Sequence, residues 1–555
     1  MALSDNGTDD RTEKSLEENS GIDVSVDARM DVKTGIYDGV RRNMKQRHVQ
    51  MIALAGTLGT GLFLVSGKAI AIAGPAGALL AFIHVGTICY CMLMCLGEMM
   101  CYMPISGGYT HFTERFLDPA AGFALGWLQW YAGVVLLPTE MIGATIIIGF
   151  WDSGPDGSGL LRSHMAGYLT LLAFLSVAVN FLGVRWFGES EFIFARLAII
   201  KIMLVLGCII GGLVIDLGGA PGHDGIGFRY WKDPGAFAPF IVPGNTGKFL
   251  GWFEVLVFAA YSCLGMELLA MAAAEVQNPR YALAKAVRRV FYRIMIFNVF
   301  GILIVGMLVP YNDPRLLQST GTAASSPFVL AITRVGIKGL PSVINAGVLT
   351  SAFSAGNSLL YASSRQLYGL ALRGQAPRIF ARTTKGGLPI TALSFSSIWV
   401  LLSYMALSEG ASTVLTWLSN LVSIMGFCTW GIICLTYIRF YQGLKHHGID
   451  RTTFTYRNAF QPYPAYWALG WSIVIVLFNG CSVFIRGEWV TSSFIIAYIN
   501  IPIFLLLYGA YKIFKKTKIV SVEAMDFHSN VPPPETIDVH DSPESTMGKM
   551  AAWLF

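Results

Sequence analysis

Residues 258–267 read FAAYSCLGME, and this mostly apolar stretch decides the fold because it carries the carboxylate of Glu267. It lies within residues 249–273, a hydrophobic segment long enough to cross a membrane. A charged side chain at the centre of a membrane helix costs about 2.5–3.5 kcal/mol on insertion scales, so such a residue usually faces water, a partner or a proton relay. We therefore predict a membrane helix that is unwound over residues 260–265.

A second interrupted segment, residues 56–63 (GTLGTGLF), lies in the first hydrophobic stretch. Each glycine costs about 1 kcal/mol relative to alanine in a helix interior. Gly56, Gly59 and Gly61 together make a break plausible, and tight helix packing through small residues is the alternative. Two interrupted helices, one in each half of a polytopic chain, are typical of the binding site of a transporter.

The composition indicates an integral membrane protein. Of 555 residues, 54% are hydrophobic and 13% are charged, whereas a soluble domain carries about 25% charged residues. The net charge of +6 is spread over many loops and does not indicate nucleic-acid binding. The nine cysteines lie mostly in apolar stretches without metal-ligand spacing, so we expect no metal site and no cofactor.

Hydrophobic segments predict an all-α polytopic protein with twelve transmembrane helices. The predicted spans are 50–71, 76–99, 122–150, 166–183, 191–215, 249–273, 290–310, 328–361, 388–407, 412–438, 465–485 and 493–514. The long eighth segment is either tilted or begins as an external helix. The membrane domain covers residues 49–516, between an N-terminal tail (1–48) and a C-terminal tail (517–555).

The loop charges predict the orientation. Lysine and arginine are concentrated in residues 41–47, 280–289, 365–385, 439–457 and 512–518, which alternate with loops that hold few basic residues. The positive-inside rule then places both termini in the cytoplasm. The two tails are polar and poor in apolar residues, so we expect them to be disordered.

The chemistry of the two breaks suggests an amino acid ligand. A half-helix that begins near Gly61 would present free N–H groups and its positive dipole end, which suit a carboxylate. Exposed carbonyls at the second break would suit an ammonium group. A carboxylate site beside an amine site matches the backbone of an α-amino acid.

Further charged residues within the predicted spans include Glu140, Lys201 and Glu254. Glu140 and Lys201 could form a structural pair, or they could transfer protons, since burial shifts both groups toward neutral pKa values. Glu254 lies nearer the outer end of its helix, where a solvated face is the simpler interpretation.

Ordered segments along the chain resemble the fungal amino acid permeases of the amino acid–polyamine–organocation superfamily. The resemblance covers about residues 47–516. The matching segments are GTGLF (59–63), LGEM (96–99), PISGG (104–108), GFALGW (122–127), GME (265–267), AE (274–275), NPR (278–280), SAGNS (354–358), YASSR (361–365) and GQAP (374–377).

The resemblance implies a five-plus-five inverted repeat, helices 1–5 and 6–10, with discontinuous helices 1 and 6 and two extra helices. It implies proton-driven import of amino acids at the plasma membrane by alternating access, with no enzymatic activity. Tail lysines Lys14, Lys33 and Lys45 are candidate sites for regulatory ubiquitin machinery.

The resemblance also assigns roles to single residues. At the first break, Thr60 and Gly61, next to Gly59, would meet the substrate carboxylate, and the carbonyl of Thr57 would meet the amine. At the second break, the residues expected to bind substrate are Tyr261, Ser262, Cys263 and Leu264.

Within that second break, the carbonyls of Tyr261 and Leu264 would also meet the amine, and the Tyr261 ring would cover the substrate. Further residues on helix three would line the side-chain pocket: Ala132, Gly133 and Glu140. The candidates for proton coupling are Glu267, Glu140 and Lys201.

Two alternatives stay open from the sequence. The chain has Tyr-Ser-Cys at 261–263, where the family usually has Phe-Ser-Phe, and this change reshapes the pocket and obscures the substrate class. A transporter of a related amine, such as γ-aminobutyrate, choline or a polyamine, is one alternative. A non-transporting amino acid sensor is the other.

Overall fold

The computed structural model describes residues 61–104, 107–152, 162–182, 206–219, 225–270, 279–317, 326–334, 336, 339–384, 387–485 and 487–529. All regular secondary structure within these ranges is helical. We number the helices α1 (Ser66–Tyr102), α2 (Gly108–Phe116), α3 (Pro119–Ile148), α4 (Arg162–Phe181), α5 (Leu206–Asp216), α6 (Gly244–Tyr261), α7 (Pro279–Leu308), α8 (Pro314–Leu317), α9 (Pro327–Arg334), α10 (Leu340–Leu372), α11 (Ile390–Ile398), α12 (Ala406–Glu409), α13 (Ala411–His446), α14 (Tyr463–Phe478), α15 (Thr491–Tyr498) and α16 (Asn500–Lys515).

The first helical unit contains a sharp kink. A π-helical turn, Gly61–Val65, leads directly into α1, and together they span 42 residues, Gly61–Tyr102. At 1.5 Å per residue this is about 63 Å, twice the thickness of the hydrocarbon core. The helix is broken at Gly74, which has a φ of 76° and is followed by Pro75. The unit therefore holds parts of both of the first two predicted spans, which meet at Gly74.

Glycine is required at this kink for two reasons. The positive φ of Gly74 is a conformation that other residues rarely adopt. In addition, a Cβ atom at Gly74 would lie 2.6 Å from the backbone nitrogen of Ala238. The loop before α6 thus packs directly against the kink, and the amide of Ala76 donates to the carbonyl of Ala236 (2.9 Å).

The structure agrees with most predicted spans where it describes them. Nine helices in the described ranges are long and apolar enough to cross a membrane, or ten when α15 and α16, bent by 41°, count as one span. Residues 50–60 of the first predicted span and 191–205 of the fifth lie outside the described residues. The eighth predicted segment is divided into α9 and α10, which favours the external-helix interpretation. The count of twelve stays a prediction.

Small residues bring the long helices close together. α3 packs along α10, and α1 packs against α6 and α7. A Cβ atom at Gly126 of α3 would lie 2.8 Å from the Leu370 side chain of α10, so glycine permits this close approach. α13 contacts α3, α6 and α14. This packing places α6 between α1 and α13, near the centre of the bundle.

Residues 517–529 pack against the bundle, so the expectation of disorder is wrong for this part of the C-terminal tail. Met525 and Phe527 are only 3% and 2% exposed. The Phe527 ring stacks on Phe116 of α2, with centroids 5.2 Å apart. Arg115 forms an ion pair with Asp526 (3.1 Å). Met525 and Phe527 fix the segment in place. The polar composition of the tail as a whole did not reveal these two apolar side chains.

Candidate functional site

The helix that carries Glu267 is interrupted. α6 ends at Tyr261, residues 262–265 form a turn in which Gly265 has a φ of 94°, and a short 3₁₀ helix, Met266–Ala270, follows. Backbone groups at a helix end lose their intrahelical partners. The turn is buried, so those groups are held within the protein at the predicted position.

The start of the first helical unit approaches this break. A Cβ atom at Gly61 would lie 3.1 Å from the Cα and Oγ atoms of Ser262 and 3.1 Å from the Tyr261 ring. Gly61, Tyr261 and Ser262 are all buried. The structure thus brings Gly61 together with the second break. Thr57, Gly59 and Thr60 lie outside the described residues.

Glu140 reaches the same break from α3. The Tyr261 hydroxyl donates to Oε1 of Glu140 at 3.3 Å, and the two residues are 6% and 4% exposed. Glu140 follows Pro138, and a proline in a helix interior removes a backbone hydrogen bond one turn earlier. The acidic side chain and the aromatic ring therefore form one buried polar unit.

Ala132 and Gly133 lie farther along α3. They precede Glu140 by about two turns, or roughly 10–12 Å. Gly133 packs against α10, where a Cβ atom would collide with the hydroxyl of Ser363. The observed contact at Gly133 is helix packing, and the role of Ala132 and Gly133 in the side-chain pocket stays a prediction.

Cys263 contacts residues on two other helices, α7 and α1. Its sulfur lies 4.0 Å from Nδ2 of Asn298 on α7, and its thiol is hydrogen-bonded to Cys89 on α1. The same Asn298 amide donates to the carbonyl of Ser262 at 3.4 Å. Sequence reasoning missed Asn298. Its signal was a lone amide in an apolar span, a residue type that usually has a defined partner in a membrane protein.

Glu267 lies just beyond the break and is 6% exposed. The indole of Trp430 on α13 donates to its Oε2 at 3.3 Å. Trp430 is fully buried, so the carboxylate is tied to a rigid partner on another helix. Sequence reasoning missed Trp430 because nothing local connects residues so far apart in the chain. The third proton-coupling candidate, Lys201, lies outside the described residues.

Two other charged groups lie within helices on the far side of the break from Glu267. Glu254 on α6 is half-buried and interacts electrostatically with Lys68 of α1, so it is not simply a solvated face. Lys68 also donates to Oγ1 of Thr416 on α13 at 2.5 Å. Sequence reasoning overlooked Lys68.

A buried ion pair lies at the opposite end of the bundle. Glu98 of α1 is 0% exposed, and Arg451 binds both of its oxygens, at 2.5 and 2.9 Å. Burial alone would lower the pKa of Arg451, but the hydrogen bonds and charge of Glu98 raise it above its usual value. The pair links α1 to the loop after α13.

Metal-binding chemistry finds no support in these ranges. No three His, Cys, Asp or Glu side chains come together in the described part of the chain to hold a metal ion. What the site offers instead is backbone polar groups at a helix break, flanked by two buried carboxylates.

Comparison with known proteins identifies the family. Residues 48–523 match the model of the amino acid permease family. The dicarboxylic amino acid permease of Saccharomyces cerevisiae is 38% identical over 94% of this chain and 86% of its own length. The proline-specific permease of Emericella nidulans is 38% identical over 94% of both chains. The lysine-specific permease of S. cerevisiae is 36% identical over 92% of this chain and 82% of its own.

The chain is also similar to a solved structure described as the inward-facing conformation of Mhp1. The TM-score is 0.46 at 14% sequence identity, over 89% of this chain and 96% of that one. The family model matches residues 48–523, and the named permeases align with most of the sequence. This chain belongs to the amino acid permease family.

Proposed function

We propose that this permease imports amino acids across the plasma membrane by proton symport and alternating access. In this proposal twelve helices form the membrane domain, helices 1–10 make a five-plus-five inverted repeat, and both termini are cytoplasmic. The observation that carries the proposal is the close approach of Gly61 to Tyr261 and Ser262. Glu140 on α3 accepts a hydrogen bond from Tyr261, and Glu267 lies just beyond the break.

The substrate backbone would bind between the two breaks. Thr60 and Gly61, with Gly59 beside them, would donate backbone N–H groups to the carboxylate, as helix N-termini do for anions. The carbonyls of Tyr261 and Leu264, and that of Thr57, would accept from the ammonium group. The burial of the described members of this set supports such a site, since hydrogen bonds to charged groups are stronger away from water.

The Tyr261 ring would cover the bound amino acid. Its hydroxyl is held by Glu140, so a movement of the ring would also move the hydrogen bond to that carboxylate. This contact supports a coupling between closure over the substrate and the state of Glu140.

Protons would enter the cycle through Glu267 and Glu140, with Lys201 as a third candidate. Glu267 is joined to α13 through Trp430, so a change in its charge would alter a contact between two helices. A proton moving down the membrane potential releases about 2.3 kcal/mol per 100 mV. That energy, to which a pH gradient adds, can concentrate an amino acid several tens-fold.

The substrate class is left to experiment. The relatives are named for dicarboxylic amino acids, proline and lysine, so kinship alone does not choose among acidic, neutral and basic side chains. We propose uptake of labelled amino acids with all twenty as competitors. Competition by amines alone would contradict the amino acid proposal and favour the amine alternative.

The transport mechanism is tested with purified protein in lipid vesicles. An imposed inward proton gradient should drive accumulation of labelled amino acid without sodium, and a proton ionophore should abolish it. Accumulation that needs sodium and ignores the ionophore would refute proton symport. Binding without any flux would instead indicate a sensor.

Regulation is a separate proposal. Ubiquitin attachment at Lys14, Lys33 or Lys45 would remove the permease from the plasma membrane. These lysines lie outside the described residues, and the proposal rests on the family resemblance. Arginine at all three positions should lengthen the lifetime of the protein at the cell surface.

A further inference from the structure

Lys68 and Glu254 occupy matching positions on the two interrupted helices. Lys68 follows Gly61 by seven residues, and Glu254 precedes Tyr261 by seven. Seven residues make about two helical turns, or roughly 10 Å. Both charges therefore lie at similar distances from the meeting point of Gly61 and Tyr261, on the side away from Glu267.

Three different helices are joined at this level. The Lys68 ammonium donates to the Thr416 hydroxyl on α13 at 2.5 Å and interacts electrostatically with Glu254 on α6. Lys68 itself belongs to the part of α1 before the Gly74 kink. These contacts connect the first helical unit, α6 and α13 on the side of the meeting point away from Glu267.

The burial of these groups differs from that of the site below them. Lys68, Glu254 and Thr416 are half-buried, whereas Gly61 and Tyr261 are buried. A contact between partly exposed charged groups separates at smaller cost than a contact between fully buried ones. Half-burial therefore suits a contact that opens and closes repeatedly.

We propose that Lys68, Glu254 and Thr416 form an outer latch. In the closed state the latch holds the outer parts of α1, α6 and α13 together above the amino acid site. It has to separate before an amino acid can enter from outside. This inference rests on the alternating-access function proposed above, and it assigns positioning roles to three residues that need not touch the substrate.

The latch is tested by access to the site from outside intact cells. Ser262→Cys places a reporter thiol at the break, and a membrane-impermeant biotinylated methanethiosulfonate measures its exposure. Lys68→Met and Glu254→Gln should each increase the labelling rate about three- to tenfold, because loss of the contact raises the population that is open to the outside. The exchanged pair Lys68→Glu with Glu254→Lys should return the rate toward that of the reporter alone.

Controls separate a latch from general damage. Lys248→Met removes an exposed lysine six residues before Glu254 on α6 and should leave labelling unchanged. The chain that retains Ser262 gives the background from native cysteines, and surface biotinylation normalises each variant for the amount of folded protein. Unchanged labelling in both single variants, or an equal increase with Lys248→Met, would overturn the latch.

This readout is independent of the proposed function. Labelling reports access to Ser262→Cys and does not require flux. If the latch variants label faster but the chain that retains Ser262 moves no amino acid in vesicles, transport is refuted and the latch stands. Normal flux with unchanged labelling would refute the latch and leave transport in place.

Discussion

At the scale of single residues, the site depends on the absence of a side chain at Gly61. Gly61 lets the first helical unit come within contact distance of both Tyr261 and Ser262. Overpacking a well-packed interior by even one methyl group shifts backbone or side chains at a typical cost of about 1–3 kcal/mol. A larger residue at position 61 would push the first helical unit away from Tyr261 and Ser262.

Gly61→Ala should therefore reduce amino acid uptake by at least about tenfold, the equivalent of about 1.4 kcal/mol. Initial uptake rates in cells with matched surface levels measure the effect. Gly167→Ala on α4 is the control, since a Cβ atom there would meet nothing within 4 Å. Equal rates in the two variants would show that the approach of Gly61 to Ser262 is dispensable.

Glu267→Gln keeps the shape of the side chain and removes its charge. We expect accumulation against a gradient to collapse while exchange of amino acid at equilibrium continues, because binding does not require the proton. Vesicle assays of net uptake and of exchange separate the two. Glu409→Gln, at an exposed position at the end of α12, should behave like the unmodified protein. Full concentrative uptake by Glu267→Gln would remove Glu267 from the proton path.

Individual residues also show what the sequence could and could not reveal. Glu267 and Gly265 predicted the break after α6, because a carboxylate and a glycine are unusual in an apolar span. The partners Asn298 and Trp430 are distant in the chain, and only the folded structure pairs them with Ser262 and Glu267. The sequence likewise did not reveal that the Cys263 thiol contacts Cys89 and Asn298, and the role of Cys263 in the substrate site stays a prediction.

At the scale of elements, the segment 517–529 behaves as part of the bundle. Its carbonyls accept hydrogen bonds from Arg115 at residues 526 and 529 (2.5 and 2.8 Å). The amide of Val520 donates to the carbonyl of Leu117 at 3.0 Å. Since α2 and α13 both contact the segment, it joins two helices whose ends lie on the predicted cytoplasmic side.

Phe527→Ala should release this segment. Replacing a buried phenylalanine by alanine costs about 3–5 kcal/mol, which exceeds what the remaining contacts of a short segment supply. Hydrogen exchange of residues 517–529 should rise strongly while exchange in α3 stays unchanged. Ile519→Ala, at a position that is 60% exposed, is the matched control. Protection that survives Phe527→Ala would mean that Met525 and the polar contacts hold the segment without the phenyl ring.

The pH dependence of the same segment follows from Asp526. Burial would raise the pKa of its carboxyl, but hydrogen bonds from Ser529 and His528 and the charge of Arg115 lower it overall. A lowered pKa stabilises the docked state above the unfolded value of about 3.9 and loses this effect as pH falls below it. Protection of residues 517–529 should be constant from about pH 8 to pH 5 and decline below about pH 4. A decline that begins near neutral pH would implicate a histidine instead.

At the scale of the whole molecule, the Glu98–Arg451 pair joins the end of α1 to the loop that follows α13. In the sequence, Glu98 stood out only as part of the segment LGEM (96–99), because its partner Arg451 lies on a distant loop. The fold class followed from composition and span length, which average over many residues. The relative placement of helices did not, because it depends on contacts such as Gly126 with Leu370.

Arg451→Met should destabilise the protein by about 3–5 kcal/mol, since it leaves the carboxylate of Glu98 buried without its charged partner. Thermal unfolding in detergent measures the loss. Adding Glu98→Gln should recover much of it, because the uncompensated charge is then gone. Arg457→Met, at an exposed position in the same loop, should have little effect. A double variant no more stable than Arg451→Met would assign the loss to packing.

The kink at Gly74 has a mechanical consequence for the transport cycle. No flexible connection separates the first helical unit before Gly74 from the rest of α1. A tilt of residues Gly61 to Gly74 is therefore transmitted to the rest of α1, up to Tyr102, through the kink at Gly74. The loop at Ala238 packs directly against Gly74. This contact therefore limits how far the segment from Gly61 to Gly74 can tilt.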